Sequence, residues 1–161
     1  MFFDTHCHIY MEDFNNEQDA IVRHMRDAQV TRAVVVATEE KEVAAVKALC
    51  AQYPELYGAF AVSPQNEALP DLSPQAIADI VNSEKMVAVG ETGLDYHYCS
   101  EPLDWQRARF ATHIEAAHLA QKPLIIHSRD AADDTLAILK NNQADEVGFV
   151  LHCFCGCLLY T

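Results

Sequence analysis

Two histidines one residue apart, His6 and His8, close a short apolar stretch near the start of the chain. On a β-strand successive side chains alternate faces, so His6 and His8 point one way and Cys7 the other. Two imidazoles on one side of a strand end make half of a metal site. A pair of unrelated surface histidines is the plainer reading of the same residues. Three more donors recur in similar places. Glu91 follows Val87-Ala88-Val89-Gly90, His127 follows Leu124-Ile125-Ile126, and His152 follows Phe149-Val150-Leu151. Singly, each has an ordinary explanation, as a solvated carboxylate before a loop or a hydrogen-bonded structural histidine. Their conjunction is the signal: of eight histidines, four end apolar runs, and Glu91 ends a further one. His24, His113 and His118 sit in helical stretches and read as surface or packing residues. His97 lies in the loop after the fourth strand and is given no metal role.

The elements that must position these donors alternate along the chain. Strands are expected at 2–6, 32–37, 56–62, 86–91, 123–127 and 148–152, with helices at 16–29, 39–53, 73–83, 103–121 and 131–141. Ala33-Val34-Val35-Val36-Ala37 and Leu124-Ile125-Ile126 are continuous rather than alternating, as in parallel strands buried on both faces. Strand–helix alternation of this kind means an α/β fold. A doubly wound open sheet and an incomplete (β/α)8 barrel both fit. No Gly-rich loop follows the first strand, which weakens the dinucleotide-binding version. Donors at the C-terminal ends of several strands are what a barrel active site requires. The expectation is a TIM-like (β/α)8 barrel with about six of its eight strands, forming a single domain over residues 1–161.

Composition sets outer bounds. The chain has 161 residues, is 50% hydrophobic and carries a net charge of −13. That length suffices for a sizeable core. No apolar run approaches the ~18 residues a membrane helix needs. Met1-Phe2-Phe3-Asp4 has neither a basic region nor a signal core, so a cytoplasmic location is expected. The six cysteines read as free thiols. Cys153, Cys155 and Cys157 beside His152 suggest a zinc knot, yet they lack paired C-x-x-C spacing. The acidic balance disfavours broad electrostatic binding of nucleic acid. It leaves room for a phosphate-cleaving enzyme whose cations are metals.

The segments Asp4-Thr5-His6-Cys7-His8, Gly90-Glu91-Thr92-Gly93-Leu94-Asp95-Tyr96, Pro123-Leu124-Ile125-Ile126-His127-Ser128-Arg129-Asp130-Ala131 and Leu151-His152-Cys153-Phe154 run through nearly the whole chain. In type and order they resemble the TatD-type metal-dependent deoxyribonucleases of the amidohydrolase superfamily. The resemblance implies a TIM-like barrel that hydrolyses phosphodiester bonds in DNA, at ends or in single strands, with two divalent metal ions (Zn²⁺, Mn²⁺ or Mg²⁺). By position His6 and His8 hold one metal, Glu91 bridges, and His127 and His152 hold the other. Arg129 stands where it can contact a phosphate, with a salt bridge to Asp130 or Asp133 as the alternative. No protein partner and no membrane are implied.

The chain departs from that family in two places. Ser63-Pro64 replaces the usual His-Pro after the third strand. The resemblance stops near Phe154, and residues 155–161 form an apolar tail of the sort a frameshift or variant transcript leaves. An Asp that would complete the first metal site is expected beyond that point. Two rival readings follow. One is an inactive truncation that binds at most one metal, through Glu91, His127 and His152. The other is a hydrolase of C–N or lactone bonds, many of which bridge their metals with a carboxylated Lys. Here that position is Glu91, and Lys85 is the nearest lysine.

Overall fold

The computed structural model describes residues 1–99 and 103–152. Six parallel strands form one sheet in sequential order: β1 Phe2–Cys7, β2 Val30–Ala37, β3 Leu56–Phe60, β4 Met86–Asp95, β5 Leu124–Arg129 and β6 Phe149–Leu151. Between them run α1 Gln18–Asp27, α2 Val43–Gln52, α3 Pro74–Val81, α4 Asp104–Ala120 and α5 Ala132–Asn141. The sheet curls into an incomplete TIM-like barrel with helices outside, as the alternation of apolar runs predicts.

The continuous apolar run of β2 is explained by two separate cores. Ala33, Val35 and Ala37 pack outward beneath the helices with Val22, Val46 and Phe60. Val34 and Val36 point inward and meet Ala59, Ala88 and Ile125 from the neighbouring strands. Both faces are buried, so neither can be polar. In the β1–β2 register Cys7 sits opposite Val35, and Cys7 packs against the outer core. His6 and His8 are therefore on the inner side, as the two-residue period requires.

Helix boundaries follow local chemistry. Ser73 caps α3 by accepting from the Ala76 N–H, and Pro74 follows at the first helical position. The helix expected at 39–53 is interrupted: a 3₁₀ turn, Glu40–Glu42, precedes α2. The Glu42 carboxylate accepts from the backbone N–H groups of Thr38 and Glu39 and from the Tyr10 hydroxyl. That tie joins the loop after β1 to the loop after β2.

Two strands run further than their apolar runs. β4 continues four residues past Glu91, to Asp95, and β5 continues to Arg129. Glycines account for the first extension. A side chain on Gly90 would meet the Ile125 Cβ at 2.6 Å, and Gly93 has φ +126° with its missing Cβ 2.1 Å from the His127 carbonyl oxygen. Thr92-Gly93-Leu94-Asp95 has the composition of a loop, yet it pairs residue by residue with 126–129 of β5. The ladder steps from Gly90 to Thr92 while β5 advances from Ile125 to Ile126, leaving Glu91 as the extra residue. Such irregularities re-aim a side chain.

Among the described residues no helix is long and apolar enough to cross a membrane. Cys7, Cys50 and Cys99 are free thiols. The suggested zinc knot of Cys153, Cys155 and Cys157, and the tail at 155–161, lie outside the described residues.

Candidate metal centre

The strand ends bring His6, His8, Glu91, His127 and His152 together. Among the described residues two groups of donors emerge, His6–His8–Glu91 and Glu91–His127–His152, each with donor atoms within 4.8 Å of one another. Glu91 belongs to both. Its Oε2 lies 3.6 Å from His6 Nε2, while Oε1 lies 2.9 Å from His127 Nδ1 and 2.6 Å from His152 Nε2. His6 Nε2 and His8 Nε2 are 2.9 Å apart. The rings of His6 and His152 stack, with centroids 4.1 Å apart and planes inclined by 13°.

Hydrogen-bond chemistry tests whether these donors suit a cation. His8 Nδ1 faces the Val36 carbonyl at 2.8 Å. A carbonyl only accepts, so Nδ1 carries the hydrogen and Nε2 presents a lone pair. That lone pair faces the His6 ring. Burial, against the opposing pull of Glu91, drives the His6 pKa from 6.5 down to about 4, so this imidazole is neutral at pH 7. His6 Nδ1 is buried without a partner among the described residues. Burial opposes ionisation of Glu91, but the adjoining His127 and His152 rings and the charge imidazoles there can carry hold its carboxyl well below the usual range. The neutral His6 ring, the neighbouring imidazole nitrogens and one ionised carboxylate, all within reach of one another, form a donor set that suits a divalent cation.

His127 has a partner on its far side. Its Nε2 lies 2.9 Å from Asp95 Oδ2. Burial disfavours charge on His127, but hydrogen bonds to Glu91 and Asp95 outweigh it and raise its pKa. Asp95 is fully buried. Its Oδ1 accepts from the backbone N–H of His97 and Tyr98, and its Oδ2 also accepts from Gln65 Nε2 at 2.7 Å. Gln106, also fully buried, clamps both the N–H and the carbonyl of Asp95. Asp95, Gln65 and Gln106 were not singled out by residue type. For Asp95 a signal existed: on an extended strand Glu91, Gly93 and Asp95 share a face. Gln65 and Gln106 leave no such signal, because their contacts span distant segments.

The remaining candidates are spread over the barrel. Arg129 is exposed at the end of β5. Its guanidinium lies 4.7 Å from the centroid of the Tyr98 ring. Among the described residues Asp130 is paired with His97, at 3.3 Å, and the alternative salt bridge of Arg129 to Asp130 or Asp133 is not seen. His113 is buried rather than superficial and lies 2.6 Å, Nδ1 to Oγ1, from Thr92. Ser63 sits in the loop that Arg109 anchors, its carbonyl 2.7 Å from Arg109 Nη1. Lys85 is at the far end of the barrel, where its Nζ donates to the Cys50 and Tyr53 carbonyls.

Known proteins share both chain and fold. The chain is 33% identical to YabD of Bacillus subtilis, described as an uncharacterized metal-dependent hydrolase, over 97% of this chain and 62% of that protein. It is 32% identical to YcfH of Escherichia coli, which carries the same description, over 94% of this chain and 58% of that protein. The crystal structure of YjjV, a TatD homologue from Escherichia coli, superposes with a TM-score of 0.83 at 28% identity, covering 97% of this chain and 61% of that one. The chain thus spans about three fifths of these relatives. The family described as TatD related DNase matches residues 3–159, five residues beyond the Phe154 limit read from the motifs. With a family match across nearly all of its length and this fold beneath it, the chain belongs to the TatD related DNase family.

Proposed function

We propose that this chain carries the metal centre of a hydrolase that cleaves phosphodiester bonds in DNA, at ends or in single strands. Two divalent cations, Zn²⁺, Mn²⁺ or Mg²⁺, are the proposed cofactors, with His6 and His8 on one side, His127 and His152 on the other, and Glu91 between. The observation that carries this reading is the division of the Glu91 carboxylate. One oxygen faces His6 and the other faces His127 and His152. A carboxylate shared in this way suits a pair of cations better than one.

Each protein group has a role that its surroundings support. Neutral His6 offers a lone pair without adding positive charge beside a cation, and His8 turns its Nε2 to the same place. Ionised Glu91 supplies the negative charge that offsets part of the cations' charge. When bound, such cations lower the pKa of water and neutralise charge growing on phosphate oxygens. Arg129, unpaired with any carboxylate among the described residues, holds an exposed planar guanidinium at the end of β5, a shape suited to two phosphate oxygens. The stacked Tyr98 ring limits where that guanidinium can go and offers a face to a nucleobase. The net charge of −13 leaves association with DNA to such local contacts.

Lys85 bears on the C–N hydrolase alternative. It is engaged with helix-end carbonyls away from the centre, so it is not the carboxylated bridge that chemistry commonly uses. A second reading, one well-held cation at Glu91–His127–His152, is favoured by tighter spacing there and by Asp95 behind His127. End-labelled single-stranded DNA, incubated with the protein and Mn²⁺, Mg²⁺ or Zn²⁺ or with EDTA, tests the main reading. Metal-dependent release of nucleotides is expected, and its absence with every cation sinks the nuclease assignment. Metal content after dialysis separates the readings: two ions per chain support the first and one supports the second.

A further inference from the structure

We infer that Asp95 is a positioning residue that sets which nitrogen of His127 carries the hydrogen. The inference rests on reading Glu91, His127 and His152 as metal ligands. It concerns a group that touches neither cation nor substrate.

The argument is one of competing acceptors. A neutral imidazole has a single N–H. His127 faces a carboxylate oxygen at each nitrogen, Glu91 Oε1 at Nδ1 and Asp95 Oδ2 at Nε2, both at 2.9 Å. If Glu91 takes the hydrogen, the lone pair points away from the cluster and the ring cannot ligate there. If Asp95 takes it, the Nδ1 lone pair faces Glu91 Oε1 and His152 Nε2, the latter 3.2 Å away.

Asp95 is built to win. Its Oδ1 is fixed by the N–H groups of His97 and Tyr98. Gln106 grips its backbone from α4. Gln65 steadies Oδ2 from the loop after β3. Glu91 Oε1 also faces His152 Nε2 at 2.6 Å, which can supply it a hydrogen, whereas the pinned Asp95 Oδ2 faces only Gln65 besides His127, so the His127 hydrogen belongs on Nε2. Carboxylates behind metal-bound histidines fix tautomer and ring orientation in this way, and losing one costs about 10–100-fold in metal affinity.

Long-range ¹H–¹⁵N spectra of metal-free protein labelled at histidine read the tautomer directly, at a pH high enough to neutralise the ring. His127 is assigned by the signal missing in His127→Gln. The wild type is expected to show Nε2–H; an Nδ1–H ring there overturns the inference, whatever any variant does. In Asp95→Asn the amide oxygen can still serve His97 and Tyr98, which turns an NH₂ donor towards His127. The ring is then expected to invert to Nδ1–H, and affinity for one zinc ion to fall about 10–100-fold in chelator competition. Unchanged zinc affinity in Asp95→Asn also overturns it. Gln65→Met loosens the same pocket without changing the acceptor. It is expected to keep Nε2–H and to bind zinc within about threefold of wild type, well short of that loss. A loss as large as that of Asp95→Asn would mark the effect as general loosening and overturn the inference. A wild type that binds no zinc would instead sink the metal reading, while the spectrum still reports where the hydrogen sits.

Discussion

His8 and Val36 are joined across β1 and β2 by a hydrogen bond from the imidazole Nδ1 to the backbone carbonyl, 2.8 Å long. The bond costs the site nothing in charge and decides which way the ring faces. It makes the proposed first metal position depend on strand pairing as well as on residue identity. Zinc added to metal-free protein is therefore expected to stabilise the fold, by about 2.7 kcal/mol at a hundredfold excess over Kd. Glu91→Gln, which weakens both groups of donors, is expected to abolish most of that gain. Thermal melts with and without zinc or EDTA measure it.

Gly93 and Gly148 both have positive φ, but only Gly93 is crowded. Gly93→Ala sets a methyl against the His127 carbonyl and strains the backbone, so a loss above about 3 kcal/mol is expected. Gly148→Ala meets nothing within 4 Å and is expected to lose only about 1–2 kcal/mol, from backbone strain. Urea unfolding of the two variants ranks them.

Arg109 donates to the carbonyls of Ser63, Asn66 and Leu69 and to Asp71. Asp71 is largely exposed, so the ion pair itself contributes little. The three carbonyls matter more, since they would be left without donors. Arg109→Ala is expected to cost about 3 kcal/mol or more, and Asp71→Asn under about 1 kcal/mol. Denaturant midpoints distinguish them.

His113 gives the fold an acid limit. Burial, reinforced by the charge of Arg109, lowers its pKa from 6.5 to about 3. The unfolded chain takes up a proton at this residue below pH 6.5 and the folded chain does not. The contribution is thus complete above pH 6.5 and is lost as pH falls towards 3, at up to about 1.4 kcal/mol per pH unit. His6 is displaced in the same direction, to about 4. Stability measured at pH 7 and pH 5 should fall accordingly, and His113→Gln should flatten the slope.

Arg129→Lys tests the proposed phosphate contact. Lysine keeps the charge but loses the paired donors and the stacking on Tyr98. KM for single-stranded DNA is expected to rise about tenfold, or about 1.4 kcal/mol, with kcat little changed. Steady-state cleavage kinetics read both.

How much of this was legible depended on whether a residue's role was local. Apolar runs ending in His or Glu located His6, His8, Glu91, His127 and His152, because strand periodicity fixes where such side chains point. The extension of β4 to Asp95 was hidden by Gly93, which usually announces a turn and here admits a neighbouring backbone. Gln65, Gln106 and the Tyr98–Arg129 stack depend on contacts between distant segments, which no local pattern encodes. His113 looked like any helical histidine until the Thr92 hydroxyl was found beside it.

The His6–His152 stack has a mechanical meaning. β1 and β6 stand at opposite ends of the strand order, yet their terminal histidines lie ring on ring. The seam between the outermost strands is thus drawn through the proposed ligands themselves. Whatever spreads that seam also pulls apart the donors on the two sides of Glu91, so barrel curvature and ligand spacing are a single coordinate. A fluorescent or spin label pair on β1 and β6 would follow metal occupancy as a change in distance.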